Sequence, residues 1–265
     1  MKTTALIGLL LSLATVVSAL DIIAHRGASH DAPENTLAAF KLGWQQRADA
    51  VELDIWLTKD GKIICLHDAN TKRTTGVMKQ VGESTLDQLR ALDAGAWKDP
   101  KWKGEKLPTL AEVLALIPEG KRLVIEIKCG IEVLPALERD IHASGRPAAQ
   151  LVIISFKRDV CVKAKKIFPQ IPVLFLASFK QDKETGAWTP PPDELIRKAK
   201  SGGLDGINLG YKGPIDAAFV KKARAAGLKF YVWTVNDTEA ARTLVAAGVD
   251  GITTDRPEWL REQLR

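Results

Sequence analysis

The stretch Gly206–Asp255, GINLGYKGPIDAAFVKKARAAGLKFYVWTVNDTEAARTLVAAGVDGITTD, reads as three short apolar strands separated by two amphipathic helices. Its spacing predicts strands at Gly206–Leu209, Lys229–Val235 and Gly251–Thr254, with helices at Ile215–Ala226 and Asp237–Ala247. Each helix stops at a glycine, Gly227 or Gly248, the residue that most readily takes the left-handed turn after a helix C-terminus. Strands that alternate with helices pair in parallel. Strands without polar alternation are buried on both faces. The stretch therefore decides for an α/β fold.

The same alternation extends backwards. Helices are expected at Pro108–Ile117, Ile131–Ser144, Arg158–Phe168 and Asp193–Lys200, and strands at Arg122–Lys128, Leu151–Phe156 and Pro172–Ala177. Nearer the start, strand Asp21–His25 leads through Pro33-Glu34-Asn35-Thr36 into a helix ending at Gln46. Strands Ala50–Trp56 and Lys62–His67 follow, and helix Pro257–Leu264 closes the chain. The nine candidate strands fit a TIM (β/α)8 barrel, with an open doubly wound sheet as the alternative. One strand is surplus. Asp60-Gly61 suits a tight hairpin, which makes the second and third strands antiparallel, whereas parallel neighbours need a longer crossover. One strand is therefore an excursion from the rim, and the sequence leaves open which. Residues Ala69–Leu107 are polar and glycine-bearing, and too long for an ordinary connection. They are expected to form a small inserted subdomain after the third strand, helical near Ser84–Leu92.

The 265 residues carry a formal net charge of +6, which suits a soluble protein and mildly attracts anionic substrates. The lysines are scattered, so no nucleic-acid partner is assigned. Met1-Lys2, an apolar run from Ala5 to Val17 and Val17-Ser18-Ala19 have the pattern of a signal peptide cleaved after Ala19. Export to the periplasm or outside the cell is expected, with no stable membrane insertion after cleavage and the barrel domain occupying residues 20–265. Cys65, Cys129 and Cys161 are an odd count with no disulfide framework. They read as small buried hydrophobes, with Cys65 on the strand face of His67 and lining the pocket.

A βα-barrel carries its active site at the C-terminal ends of its strands. His25 and Arg26 end the first strand, Glu52 and Asp54 lie on the second, His67 ends the third, and Glu126 and Lys128 lie on the fourth. Residues two apart on a strand share a face. Glu52 and Asp54 therefore point together, as do Glu126 and Lys128, while Leu53 and Ile127 face the covering helices. Singly, each carboxylate reads as half of a structural ion pair. Three on one mouth beside two histidines read as an oxygen-ligand site for one hard divalent cation, Ca²⁺ or Mg²⁺. His25 and His67 suit general acid–base work, and Arg26 and Lys128 suit a phosphoryl group. His30 is placed in a loop near the site and His142 on an exposed helix face.

At these residues the chain resembles the glycerophosphodiester phosphodiesterase family, a branch of the phospholipase C-like phosphodiesterase barrels. The resemblance rests on His25-Arg26-Gly27 with Pro33-Glu34-Asn35-Thr36, Glu52-Leu53-Asp54, and His67-Asp68 with Arg73-Thr74-Thr75-Gly76. It continues through Leu107-Pro108-Thr109-Leu110, Glu126-Ile127-Lys128, Trp233-Thr234-Val235-Asn236 and Gly248–Asp255. Residues Gln181–Pro192 match least. The resemblance implies a barrel with an inserted subdomain and metal ligands at Glu52, Asp54 and Glu126. It implies the acid–base pair at His25 and His67, with Arg26 and Lys128 on the phosphate. Glu34 would orient Arg26, and Trp233 would wall the substrate pocket. The implied reaction hydrolyses a small glycerophosphodiester, such as glycerophosphocholine or glycerophosphoethanolamine, to glycerol 3-phosphate and an alcohol. Attack by water and attack by the glycerol hydroxyl through a cyclic phosphate both fit these residues. The rival readings are a phospholipase D-like or phosphoinositide-cleaving barrel acting on intact lipids, and a non-catalytic phosphate- or lipid-binding barrel. Oligomeric state is not legible.

Overall fold

The computed structural model describes residues 20–265, so the expected signal peptide over Met1–Ala19 lies outside the described residues. The chain begins with strand β1 (Asp21–Ala24), helix α1 (Leu37–Gln45), strand β2 (Ala50–Leu57) and strand β3 (Ile63–Cys65). Short helices α2 (Lys72–Thr75) and α3 (Leu86–Arg90) follow, then α4 (Leu110–Leu116) and β4 (Arg122–Ile127). Next come α5 (Leu134–Ser144), β5 (Leu151–Ser155), α6 (Arg158–Ile167) and β6 (Val173–Ala177). A two-residue pair, β7 (Lys180–Gln181) and β8 (Trp188–Thr189), precedes α7 (Pro192–Ser201) and β9 (Gly206–Gly210). The chain ends with α8 (Ala217–Ala225), β10 (Lys229–Trp233), α9 (Thr238–Ala247), β11 (Gly251–Thr254) and α10 (Pro257–Gln263).

Eight parallel strands, β1, β2, β4, β5, β6, β9, β10 and β11, run round the sheet in that order. β1 pairs with β2 on one side and β11 on the other. That closure excludes the open doubly wound sheet and makes the fold a TIM barrel. The surplus strand is β3, which pairs antiparallel with β2 from Leu57↔Ile63 to Ile55↔Cys65. Its loop is longer than a two-residue hairpin. Gly61 N donates to the Thr58 carbonyl and Thr58 N to the Lys62 carbonyl. Gly61 supplies the left-handed step at φ +70, the three-residue pattern of a turn followed by a bulge.

Two cores follow from strand alternation. The inner one, from Ile23, Ala50, Val124, Ile154, Leu174 and Leu176, fills the barrel. The outer one sets Leu53, Ile55, Ile125 and Ile127 against residues of the helices, such as Leu110, Val113 and Leu114 of α4. Those three sit at helical spacing behind a Thr109–Glu112 capping box, a cap worth about 1 kcal/mol. The segment after β3 has a small core of its own. Ile64 and Leu66 pack there with Val81, Leu89, Ala94 and Leu107. Gln181–Pro192, the least-matching stretch, is largely a hairpin in which β7 pairs antiparallel with β8, Lys180↔Thr189 and Gln181↔Trp188.

Candidate active site

The site begins where β1 stops. Ala24 is followed at once by a turn in which Arg26 takes φ +54 and Gly27 φ +82. The left-handed conformation costs a residue with a side chain about 1–3 kcal/mol. Two hydrogen bonds hold it: Arg26 N donates to Glu52 Oε2 at 2.9 Å, and the Arg26 carbonyl accepts from Asn35 N at 3.0 Å. A Cβ on Gly27 would lie 2.4 Å from the Ala39 carbonyl carbon, so only glycine lets the turn rest on α1. Asn35, itself at φ +56, donates through Nδ2 to Asp54 Oδ2 at 2.8 Å and accepts from Asp54 N at Oδ1.

The register Asp54↔Glu126 sets the acidic ends of β2 and β4 side by side. Glu52, Asp54 and Glu126 are buried, and one carboxylate oxygen from each lies within 4.8 Å of the others. One oxygen of each has a donor: Arg26 N on Glu52, Asn35 Nδ2 on Asp54, and Lys128 Nζ on Glu126 at 2.6 Å. The buried Asp54 Oδ1 accepts no hydrogen bond, though Lys128 Nζ stands 3.4 Å away. Burial, then the charges of Asp54 and Glu126, push the Glu52 carboxyl well above the ordinary range. Burial and the Asp54 charge push Glu126 up to about 7 against the pull of Lys128. Two cations, Arg26 and Lys128, face three carboxylates. An all-oxygen cluster with an orphaned buried oxygen and raised carboxyls fits a divalent cation.

Each histidine is held by an acidic neighbour. His25 Nδ1 lies 2.7 Å from Asp255 Oδ1, and His67 Nδ1 lies 2.7 Å from Asp68 Oδ1. These contacts leave Nε2 as the ring nitrogen available to a substrate. Burial would raise the Asp255 carboxyl, but His25, Asn236 and Ser29 outweigh it and hold it well below the carboxylate range. A hydrogen bond from Arg73 holds Asp68 at about 2. Burial, with the charges of Arg26 and Lys128, keeps the His67 imidazolium disfavoured. Arg73 Nε donates to Asp68 while its Nη atoms grip both oxygens of Glu34, which in turn accepts from Arg26 Nη1 at 3.0 Å. A chain of polar contacts thus links Arg26, Glu34, Arg73, Asp68 and His67.

A cavity of about 140 Å³ joins His25, Arg26, Glu52, His67, Glu126 and Lys128. Its far walls are Ile154, Phe156, Leu176 and Trp233. Trp233 stacks edge-on to Phe156 at 5.5 Å and donates through Nε1 to the Asn208 carbonyl. Of the residues singled out in the sequence, Asp54 lies behind this cavity against Lys128 and Arg26, and Glu34 behind Arg26. His30 is beside the site, hydrogen-bonded to Asp31 and Arg256, and His142 is exposed.

One expectation fails. Cys65 is fully buried in the outer core and does not line the cavity. The two-residue rule was carried to His67, but β3 ends at Cys65, and past that point face alternation no longer holds. His67 is pinned instead by Trp56 Nε1 donating to its carbonyl and by Leu66 N donating to the Asp54 carbonyl. Asp255, Asp68, Asn35 and Arg73 were not assigned roles from the sequence. Asp68, Asn35 and Arg73 each lie inside a quoted motif close to a singled-out residue, and that adjacency was the available signal; Asp255 ends the last quoted motif with no such neighbour in the chain.

The family model described as the glycerophosphoryl diester phosphodiesterase family matches residues 25–259. The chain is similar to a glycerophosphodiester phosphodiesterase of Caldanaerobacter subterraneus subsp. tengcongensis, 36% identical over 248 residues, which span 92% of this chain and 97% of that one. It is similar to a glycerophosphodiester phosphodiesterase of Bacillus subtilis, 32% identical over 254 residues, spanning 89% and 83%. Among solved structures, it resembles a phosphodiesterase of Oleispira antarctica in complex with the product sn-glycerol-3-phosphate. That match has a TM-score of 0.82 and 28% identity, over 92% of this chain and 96% of that one.

Proposed function

This chain belongs to the glycerophosphoryl diester phosphodiesterase family, and from that premise we propose how its barrel mouth cleaves the diester. The substrate is a soluble glycerophosphodiester, such as glycerophosphocholine or glycerophosphoethanolamine, and the products are glycerol 3-phosphate and the freed alcohol. The observation that carries this reading is the pair of histidines. Each is fixed at Nδ1 by its own carboxylate, and both line the cavity that exposes Glu52, Glu126, Arg26 and Lys128. The sn-glycerol-3-phosphate held by the Oleispira antarctica phosphodiesterase supports the product assignment.

Arg26 and Lys128 bind the phosphate and offset the charge that grows on its oxygens in the transition state. Glu34 keeps the Arg26 guanidinium aimed at the mouth. One imidazole Nε2 takes the proton of the attacking hydroxyl, and the other protonates the departing alkoxide. His67, whose neutral form is favoured, suits the accepting role. The attacking group is water or the diester's own glycerol hydroxyl; the second route expels the alcohol with formation of a cyclic phosphate that water then opens to glycerol 3-phosphate, and both routes need the same proton acceptor. When bound by Glu52, Asp54 and Glu126, one divalent cation, Ca²⁺ or Mg²⁺, supplies Lewis-acid polarisation of a phosphate oxygen. Trp233 and Phe156 exclude water from the far wall.

The test is a glycerol 3-phosphate release assay over several head groups with an intact phospholipid alongside. Chelator is added first, then Ca²⁺ or Mg²⁺. Release from the deacylated diesters that stops with chelator and returns with one cation is the expected result. Release undiminished by chelator would remove the metal from this reading, and preference for the intact lipid would remove the soluble substrate. A cyclic glycerophosphate found in a single turnover without solvent-oxygen incorporation rules out direct water attack. Export is proposed on Met1–Ala19 alone; secreted or periplasmic protein beginning at Leu20 supports it, and retention of Met1 there overturns it.

A further inference from the structure

A second cavity, of about 490 Å³, shares His25 and Arg26 with the first. We infer that it seats the alcohol half of the diester and that it selects alcohols carrying an acidic group, a carboxylate or a phosphate. This rests on the reaction proposed above and adds the substrate class.

The charges around that cavity do not balance. Its two carboxylates are already engaged by the protein. Both oxygens of Glu34 accept from Arg73 and one also from Arg26, while Asp255 accepts from His25, Ser29 and Asn236. Its two further cations touch a carbonyl and an imidazole instead of a carboxylate. Lys98 Nζ donates to the Ser29 carbonyl at 2.8 Å, and Arg256 Nη2 contacts His30 Nε2 at 2.7 Å. Neither has a carboxylate within 4.0 Å among the described residues. Asp31, on the adjoining turn, is engaged by His30 and Gln46 and lies in the field of Lys98, but it forms no ion pair within 4.0 Å with Lys98 or Arg256. Arg256 is steadied over the Trp259 ring at 5.8 Å. Partly desolvated cations without a close ion pair attract an anion more strongly than cations already in ion pairs do.

A quaternary ammonium finds the opposite. It is held by aromatic faces or by carboxylates. Apart from the two histidines, Trp97 is the one aromatic ring on this cavity, and Lys98 Nζ stands 5.9 Å from its centroid. The smaller cavity, with apolar far walls, takes the uncharged glycerol half. With the phosphate between Arg26 and Lys128, the second ester arm leaves phosphorus in another direction, toward Lys98 and Arg256.

Glycerophosphoserine and glycerophosphoethanolamine differ by a single carboxylate, so they isolate the effect. The intact chain is expected to favour the serine diester in kcat/KM by about ten-fold, the size of one charge-assisted hydrogen bond. Lys98→Glu should erase or invert that ratio, mainly through the KM for the serine diester. A Lys98→Ala/Arg256→Ala double variant should bring the ratio close to one. Arg256 also packs on Trp259, so if the double variant fails to fold, the Lys98→Glu ratio decides alone. A wild-type ratio at or below one, or an equal loss on both substrates in Lys98→Glu, overturns the inference and leaves the phosphodiesterase reading standing. No hydrolysis of either diester brings down that reading itself.

Discussion

The two ends of this barrel both carry charge, and they handle it in opposite ways. At the N-terminal end, Asp21 meets Arg122 at 2.6 Å and accepts from the Tyr231 hydroxyl at 2.7 Å, above a layer of Ile23, Ala50, Val124 and Leu174. One anion meets one cation, and both oxygens of the anion have partners. At the C-terminal end, Glu52, Asp54 and Glu126 face Arg26 and Lys128, and Asp54 Oδ1 and Arg26 Nε are buried with no hydrogen bond. A balanced, satisfied group closes a core. An unbalanced one stores unfavourable electrostatic energy that a ligand can release. The difference locates function more sharply than the number of charged residues does.

The sharpest way to break this contrast is to remove a histidine. His25→Ala or His67→Ala should lower kcat by about 10²–10⁴-fold, the usual worth of a positioned acid or base, with the fold retained by circular dichroism. Activity surviving the double substitution would mean that the mouth is no more chemical than the base.

Removing the imbalance is the next test, and it concerns stability. In metal-free protein, the Glu126 carboxyl stands at about 7 against 4.5 when unperturbed. Between those values the folded chain keeps a proton that the unfolded chain has released. The stabilisation is therefore complete below the unfolded value and is lost as pH rises through the folded one. Glu52 shifts in the same direction. Chelated protein should lose up to about 3 kcal/mol through Glu126 between pH 4.5 and 8, taking 1.36 kcal/mol per pH unit. Thermal melts across that range should show the decline. Glu126→Gln should flatten it, and millimolar divalent cation should suppress it in the wild type. Melting temperatures that rise through this window would contradict the imbalance.

The contrast also separates what the sequence revealed from what it hid. The inward aim of Glu52, Asp54 and Glu126 was legible because a strand's period of two is local, and β2 and β4 obey it. The alternation of strands and glycine-stopped helices was legible for the same reason. Asp255 was not, because it reaches His25 across 230 residues, and only the seam between β11 and β1 brings them together. Which strand was surplus was hidden too. Asp60-Gly61 announced a turn, but placing β3 outside the barrel depends on β4 and β1 taking the two edges of β2, which leaves β3 only the end of the β1 edge, past Ala24↔Val51. The Cys65 error shows the limit of the same local rule: periodicity ends with the strand that imposes it.

Asp255 supplies a smaller effect at the mouth. Asp255→Asn keeps the shape but removes the charge that fixes His25. It should cost about 10²-fold in kcat, less than losing the imidazole itself, with KM within about two-fold. That split marks a positioning residue, whereas general loss of fold would lower active enzyme without leaving the substrate dependence so uneven. A large KM change with kcat preserved would place Asp255 on the substrate instead.

The smallest effect is expected at the other end. Tyr231→Phe removes one donor from Asp21, which keeps Arg122 and is partly open to water. Such a hydrogen bond is worth about 1 kcal/mol, or about 2–4 °C in melting temperature for a domain of this size. Because the charge pair remains balanced, nothing about the loss should reach the mouth, and kcat/KM should stay within two-fold. The ring keeps its apolar contact with the inner layer, so packing is not the variable. A fall in kcat/KM beyond ten-fold with this small loss of stability would show that the inner core couples the two ends, and the base could then no longer be treated as a plain closure of the barrel.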